Sequence, residues 1–156
     1  MKKHPIISVV ILAYRAQSGI VDFVQQVISS FESAGIFDFE LVVVGNYDPN
    51  TNDDSTPKIV RSLANTDKRI TPVTIQKQGM MGWDARQGFD FTTGDIVALI
   101  DGDGQMPPVD IIRLFQVIRS GEFDLVKTYR MDREDGILRK FSSIGFNTIF
   151  RILFPG

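Results

Sequence analysis

Short continuous runs of apolar, often β-branched residues alternate with longer segments that repeat apolar residues every three to four positions. That alternation leaves few folds open. Ile6–Leu12 is the first run, long enough for a strand covered on both faces. Ile20, Phe23, Val24, Val27, Ile28 and Phe31 then mark one stripe of an amphipathic helix, and Gly35 supplies its stop. Phe39–Val44 reads as a second buried strand, residues 45–55 as a polar loop, and Thr56-Pro57 as the cap and first turn of a helix reaching Asn65. Ile70–Gln76 is a third strand, residues 80–93 a helix closed by Gly94, and Asp95–Asp101, with its IVALI core, the clearest buried strand. Pro107-Pro108 opens a helix ending at Gly121, Asp124–Tyr129 is a fifth strand, and residues 136–154 a last helix. Strands and helices in this rhythm make βαβ units. The expected fold is therefore α/β: a Rossmann-like, mostly parallel sheet flanked by helices on both faces, in one domain over residues 1–156.

Composition removes several functions. The chain has 156 residues, no Cys and a formal net charge of −2, with 43% hydrophobic and 23% charged residues. Thiol catalysis, disulfide frameworks and Cys-type zinc sites are excluded, and a broadly basic nucleic-acid binder is not indicated. The absence of Cys suits a reducing compartment. No apolar run approaches the ~18 residues of a membrane span, and Tyr14-Arg15 interrupts any signal-peptide reading of Ile6–Ala13.

Open parallel sheets bind ligands beyond the carboxyl ends of their strands, which singles out residues 13–17, 45–54, 76–82 and 101–105. Asp101-Gly102-Asp103-Gly104-Gln105 follows the clearest strand directly. Carboxylates at i and i+2 can face one way in extended chain. Hard oxygens with no Cys or His beside them select Mg²⁺ or Mn²⁺, and Gln105 adds a neutral oxygen. An EF-hand is excluded, because Met106 and Ile112 stand where that loop needs Gly and Glu. Neither a GxxxxGK loop nor a GxGxxG after the first strand is present.

Four stretches carry a resemblance: Val9-Val10-Ile11-Leu12-Ala13-Tyr14, Leu41–Asp54, Gly79–Gly94 and above all Ala98–Pro108. In this order they resemble family 2 glycosyltransferases of the GT-A fold. The D-x-D-x-Q-x-P-P form is similar to the dolichyl- or polyprenyl-phosphate sugar transferase branch. The resemblance implies an inverting hexosyltransferase with a nucleotide-sugar donor, GDP- or UDP-linked. A polyprenyl phosphate is the first acceptor and a saccharide hydroxyl the alternative; a non-catalytic nucleotide-binding module is the rival reading. It further implies that Ala13, Tyr14, Asn46, Asp48, Asp84, Arg86, Asp101 and Gly102 face the donor, and that Asp101, Asp103 and Gln105 hold Mg²⁺ or Mn²⁺. Asp103, Arg130, Arg139 and Ser143 would serve the transfer itself. The chain departs from the family at Gly45-Asn46, where an acidic pair is usual, and at Arg15-Ala16-Gln17, where the first loop usually ends in an acid.

Basic residues outnumber acids between Lys127 and Arg151, which suits phosphate oxygens. The 136–154 stripe is expected to meet a membrane surface or a second copy. His4, the sole histidine, lies in the N-terminal tail and is assigned no catalytic part. The chain stops after an apolar segment, so the expectation is the N-terminal part of a longer catalytic domain, working in the cytoplasm at the cytoplasmic face of a membrane, in cell-envelope assembly.

Overall fold

A computed structural model describes residues 5–51 and 53–128. The elements run β1 (Ile7–Leu12), α1 (Gly19–Ser33), β2 (Phe39–Val44), α2 (Thr56–Thr66), β3 (Ile70–Val73), α3 (Met81–Phe89), β4 (Ile96–Asp101) and α4 (Val109–Ile118). The chain divides into two compact units, residues 1–126 and 127–156, and every element named here belongs to the first. The strands form one parallel sheet in the order β3-β2-β1-β4. This is the α/β, Rossmann-like arrangement that the alternation predicts.

Each strand is buried for a reason visible in its side chains. Every residue of β1 is buried. Its odd positions Ile7, Val9 and Ile11 join Leu41, Val43 and Ile100 under α1, α2 and α4; the even positions Val10 and Leu12 join Val42, Val44, Val73 and Ala85 under α3. At the amino edge a polar clamp closes the sheet. Ser8 Oγ donates to Glu40 Oε1 at 2.6 Å, and the same oxygen accepts the Thr93 N–H at 2.6 Å.

Several expectations shift. Gly94 does not stop a helix, because α3 ends at Phe89. It is instead a close approach: its N–H donates to Ser8 Oγ at 2.8 Å, and a Cβ there would stand 2.9 Å from the backbone of Ile7. β3 is shorter than Ile70–Gln76, its pairing reduced beyond Val73 to one bridge between Gln76 and Tyr47. Ser55, not Thr56, precedes the first turn of α2. IVALI is not covered on both faces. Ile100 is buried, but Val97 and Leu99 are 45% and 48% exposed, because α3 lies over β1 and β2 and leaves that side of β4 bare among the described residues. The fifth strand expected over Asp124–Tyr129 is absent from residues 124–128, which pair with neither edge strand of the sheet and leave Leu125 exposed; Tyr129 lies outside the described residues. No helix among the described residues is long and apolar enough to cross a membrane.

Gly88 lets α3 lie close on the sheet. An added Cβ would meet Val10 Cγ1 at 2.4 Å and Val44 Cγ2 at 2.9 Å. Helix propensity favours Ala over Gly by about 1 kcal/mol, whereas forcing a methyl into a packed core costs about 1–3 kcal/mol. Both contacts are with buried β-branched side chains, so the packing cost wins. Gly88→Ala should lower the urea midpoint of unfolding; an equal or higher midpoint would show that α3 lifts off the sheet cheaply.

Candidate functional site

In-register pairing levels the carboxyl ends of the strands. Leu12 stands opposite both Val44 and Asp101, and Val44 opposite Val73. The chain then leaves β1, β2 and β4 through a bond to a neighbouring strand: Ala13 N–H to Val44 O, Gly45 N–H to Val73 O and Gly102 N–H to Leu12 O, at 2.8–2.9 Å. Residues from four separate parts of the sequence therefore start their loops side by side.

On the β4 side, Asp101 closes the strand and is exposed. Asp103 is exposed too, with Oδ1 accepting the Gln105 N–H at 2.9 Å across a tight turn. Gly102 is buried, with Leu12 O, Ile20 and Ile11 around its Cα. Asp103 and Gly104 share a cleft of about 370 Å³ with Tyr14, Arg15 and Asp22. Among the described residues no three His, Asp or Glu side chains gather into a metal-holding group. Two exposed carboxylates on one turn still match how Mg²⁺ is usually held, by one or two carboxylates with substrate phosphates and water completing the shell.

The first loop is strained and held by the second. Arg15 and Gln17 have φ of 53° and 52°, the left-handed region that non-glycine residues seldom occupy. Arg15 Nη2 donates to both carboxylate oxygens of Asp53, at 2.8 and 3.0 Å. The Gln17 side chain donates to Asp53 O and accepts from Ser55 Oγ, while its backbone N–H donates to Thr56 Oγ1 at 2.9 Å. The acid that Arg15 answers, Asp53, lies on the facing loop.

On the other side of β1 a polar cluster is buried. Asn46 and Asp84 are 2% and 5% exposed. Asn46 Nδ2 donates to Asp84 Oδ1 at 2.9 Å, and Asn46 Oδ1 accepts the Ile75 N–H at 2.9 Å. Lys77 donates to Asp84 Oδ2 and lies over the Tyr14 ring, 4.3 Å from its centroid. Burial pushes the Lys77 ammonium below its usual pKa. Asp84 sits in the first turn of α3, where a helix N-terminus favours negative charge.

The structure thus brings together Ala13, Tyr14, Asn46, Asp84, Asp101, Gly102, Asp103 and Gln105 along one sheet edge. Asp48 serves its own turn, accepting from Asn50, and Arg86 is exposed on α3. Arg130, Arg139, Ser143, the 136–154 stripe and His4 lie outside the described residues. Lys77 is given no role by sequence reasoning, and Gln17 is read there only as a departure from a pattern. No local spacing rule ties Lys77 to a partner on another element.

The Asn46 amide both donates to Asp84 and accepts from the Ile75 N–H, which a carboxylate there could not do. In Asn46→Asp two carboxylates would meet at hydrogen-bond distance, and one would have to hold a proton. The folded pair then binds that proton more tightly than the unfolded chain. The variant should therefore come nearest to the parent's stability below about pH 4, the ordinary carboxylate range, and lose stability as pH rises to neutrality. Urea unfolding of parent and variant across pH 4–8 checks this; a pH-independent difference would mean that the loops separate the two groups.

Residues 8–155 match the family model described as Glycosyl transferase family 2. That match takes in every strand and helix of the described fold except the first residue of β1, as well as Asp101 and Asp103. On this parallel sheet, and over nearly its whole length, the chain belongs to glycosyl transferase family 2 and is a glycosyltransferase.

Proposed function

We propose that the chain transfers a hexose, with inversion, from a GDP- or UDP-sugar to a polyprenyl phosphate at the cytoplasmic face of a membrane. The observation that carries this reading is the exposed Asp101–Asp103 turn at a levelled carboxyl edge, sharing a cleft with Tyr14. The resemblance of residues 98–108 to the polyprenyl-phosphate branch supports the acceptor.

Asp101, Asp103 and Gln105 would hold Mg²⁺ or Mn²⁺, which supplies neutralisation of the departing diphosphate's charge. Tyr14 lines the cleft, and Ala13, Asp48 and Arg86 are assigned to the donor by resemblance. An acceptor phosphate oxygen attacks the anomeric carbon from the face opposite the diphosphate. The bond to the diphosphate oxygen breaks, and its electron pair leaves with the nucleotide. A phosphate acceptor is already anionic near neutral pH, so no protein base has to remove a proton. A saccharide hydroxyl would need one. Arg130, Arg139 and Ser143 are assigned to the acceptor phosphate and the donor diphosphate by resemblance.

Calorimetry with UDP and GDP, with and without Mn²⁺, tests the donor side. Asp103→Ala should reduce the metal-dependent affinity at least by the ~10–100-fold that loss of even an outer-shell partner of a metal costs, without lowering thermal stability. Unchanged metal-dependent affinity would remove the carboxylates from the site. Arg139→Ala should weaken use of a polyprenyl phosphate more than donor binding, by about 1.5–3 kcal/mol for one charge-assisted contact; equal losses would place Arg139 on the donor.

A further inference from the structure

The buried Lys77–Asp84 pair lies on the same sheet edge as the carboxylates of β4 but takes no part in the chemistry described above. Its backbone is fixed first. Tyr47 N–H donates to Ile75 O at 3.1 Å and Lys77 N–H to Tyr47 O at 2.8 Å, which joins the chain after β3 to the chain after β2. From there the Lys77 side chain reaches Asp84 in α3 and the Tyr14 ring just beyond β1. With Asn46 bridging Asp84 and Ile75, one polar cluster ties together the exits of three strands and the first turn of a helix.

Stability alone is a weak reason for such a cluster. Removing two charges from water costs several kcal/mol per ion, and apolar residues of similar volume often hold a fold as well. The side chains are 14% and 6% exposed, so this cost applies. What the pair supplies is placement. The carboxylate fixes where the ammonium stands, and the ammonium attracts the face of one ring. That ring is 49% exposed and lines the same cleft as Asp103. Tyr14 is followed directly by the strained Arg15, so its backbone has little freedom to follow a ring that turned away.

We propose that Lys77 is a positioning residue of the donor crevice: held by Asp84, it fixes the Tyr14 ring on the crevice wall, and affinity for a nucleoside diphosphate depends on it through Tyr14. This rests on the reading of the cleft as a nucleotide-sugar site.

The test is calorimetric titration of UDP and GDP, each with Mn²⁺, into the 156-residue chain and its variants. Lys77→Met and Tyr14→Ala should each weaken the nucleotide that the parent binds by tenfold or more. The double variant should be no weaker than the weaker single one, because both act through the same ring. Lys77→Arg, which keeps the charge over the ring, should recover most of the loss. If Lys77→Met does not fold, Lys77→Met with Asp84→Asn removes both charges and leaves Asn46 an amide partner; its circular dichroism melt shows whether it folds, and it should show the same loss. A folded Lys77 variant that binds like the parent, or losses that multiply in the double variant, overturns the inference while leaving the crevice reading in place. A parent chain that binds neither nucleotide with Mn²⁺ overturns the crevice reading and the inference with it.

Discussion

Parallel, in-register pairing of β1 with both of its neighbours is the constraint on which everything else depends. β1 is buried along its whole length and touches both layers of helices. Because its partners run the same way and end level with it, their exits open on one edge. An antiparallel neighbour would send one of those loops to the opposite end of the sheet. Asp101 would then be far from Tyr14, whatever its local sequence. The site is thus a property of strand direction before it is a property of any side chain.

Most of that frame is legible in the residues. Runs such as Ile6–Leu12 and Phe39–Val44 are rich in β-branched side chains, and those strands form nearly as read. The stripe from Ile20 to Phe31 is the buried face of α1, residue for residue. The errors arise where a run does not reveal its neighbours. IVALI has the composition of a strand covered twice, but coverage depends on where α3 comes to rest, and it rests on β1 and β2. A strand over residues 124–128 needs the chain to come alongside an edge of the sheet, which local hydrophobicity cannot report, and these residues pair with neither β3 nor β4. Gly94 looked like punctuation and is in fact a contact with Ser8.

The same division holds at the site. Asp101, Gly102 and Asp103 can be found because they follow a strand at once, and chain order alone brings them to the edge. Asn46 and Asp84 can be named singly, but not as partners, since their bond joins two elements. Arg15 and Gln17 read as departures from a pattern until Asp53, Ser55 and Thr56 are seen opposite them. Residues whose role comes from a partner on another element are the ones that a single sequence hides. Here they are also the residues that hold the loops in place.

One pairing also has a consequence in time. Ile7 meets Phe39 after a single helix but meets Ile96 only after three helices and two strands have intervened. Closing the longer loop costs about 1 kcal/mol more entropy than closing the shorter. Contacts of that kind are paid for late on the folding path. The half made of β1, α1, β2, α2 and β3 can assemble from local steps, whereas β4 docks across the greatest chain distance. Asp101 and Asp103 reach the edge only with that docking, so a partly folded chain has a sheet before it has a site.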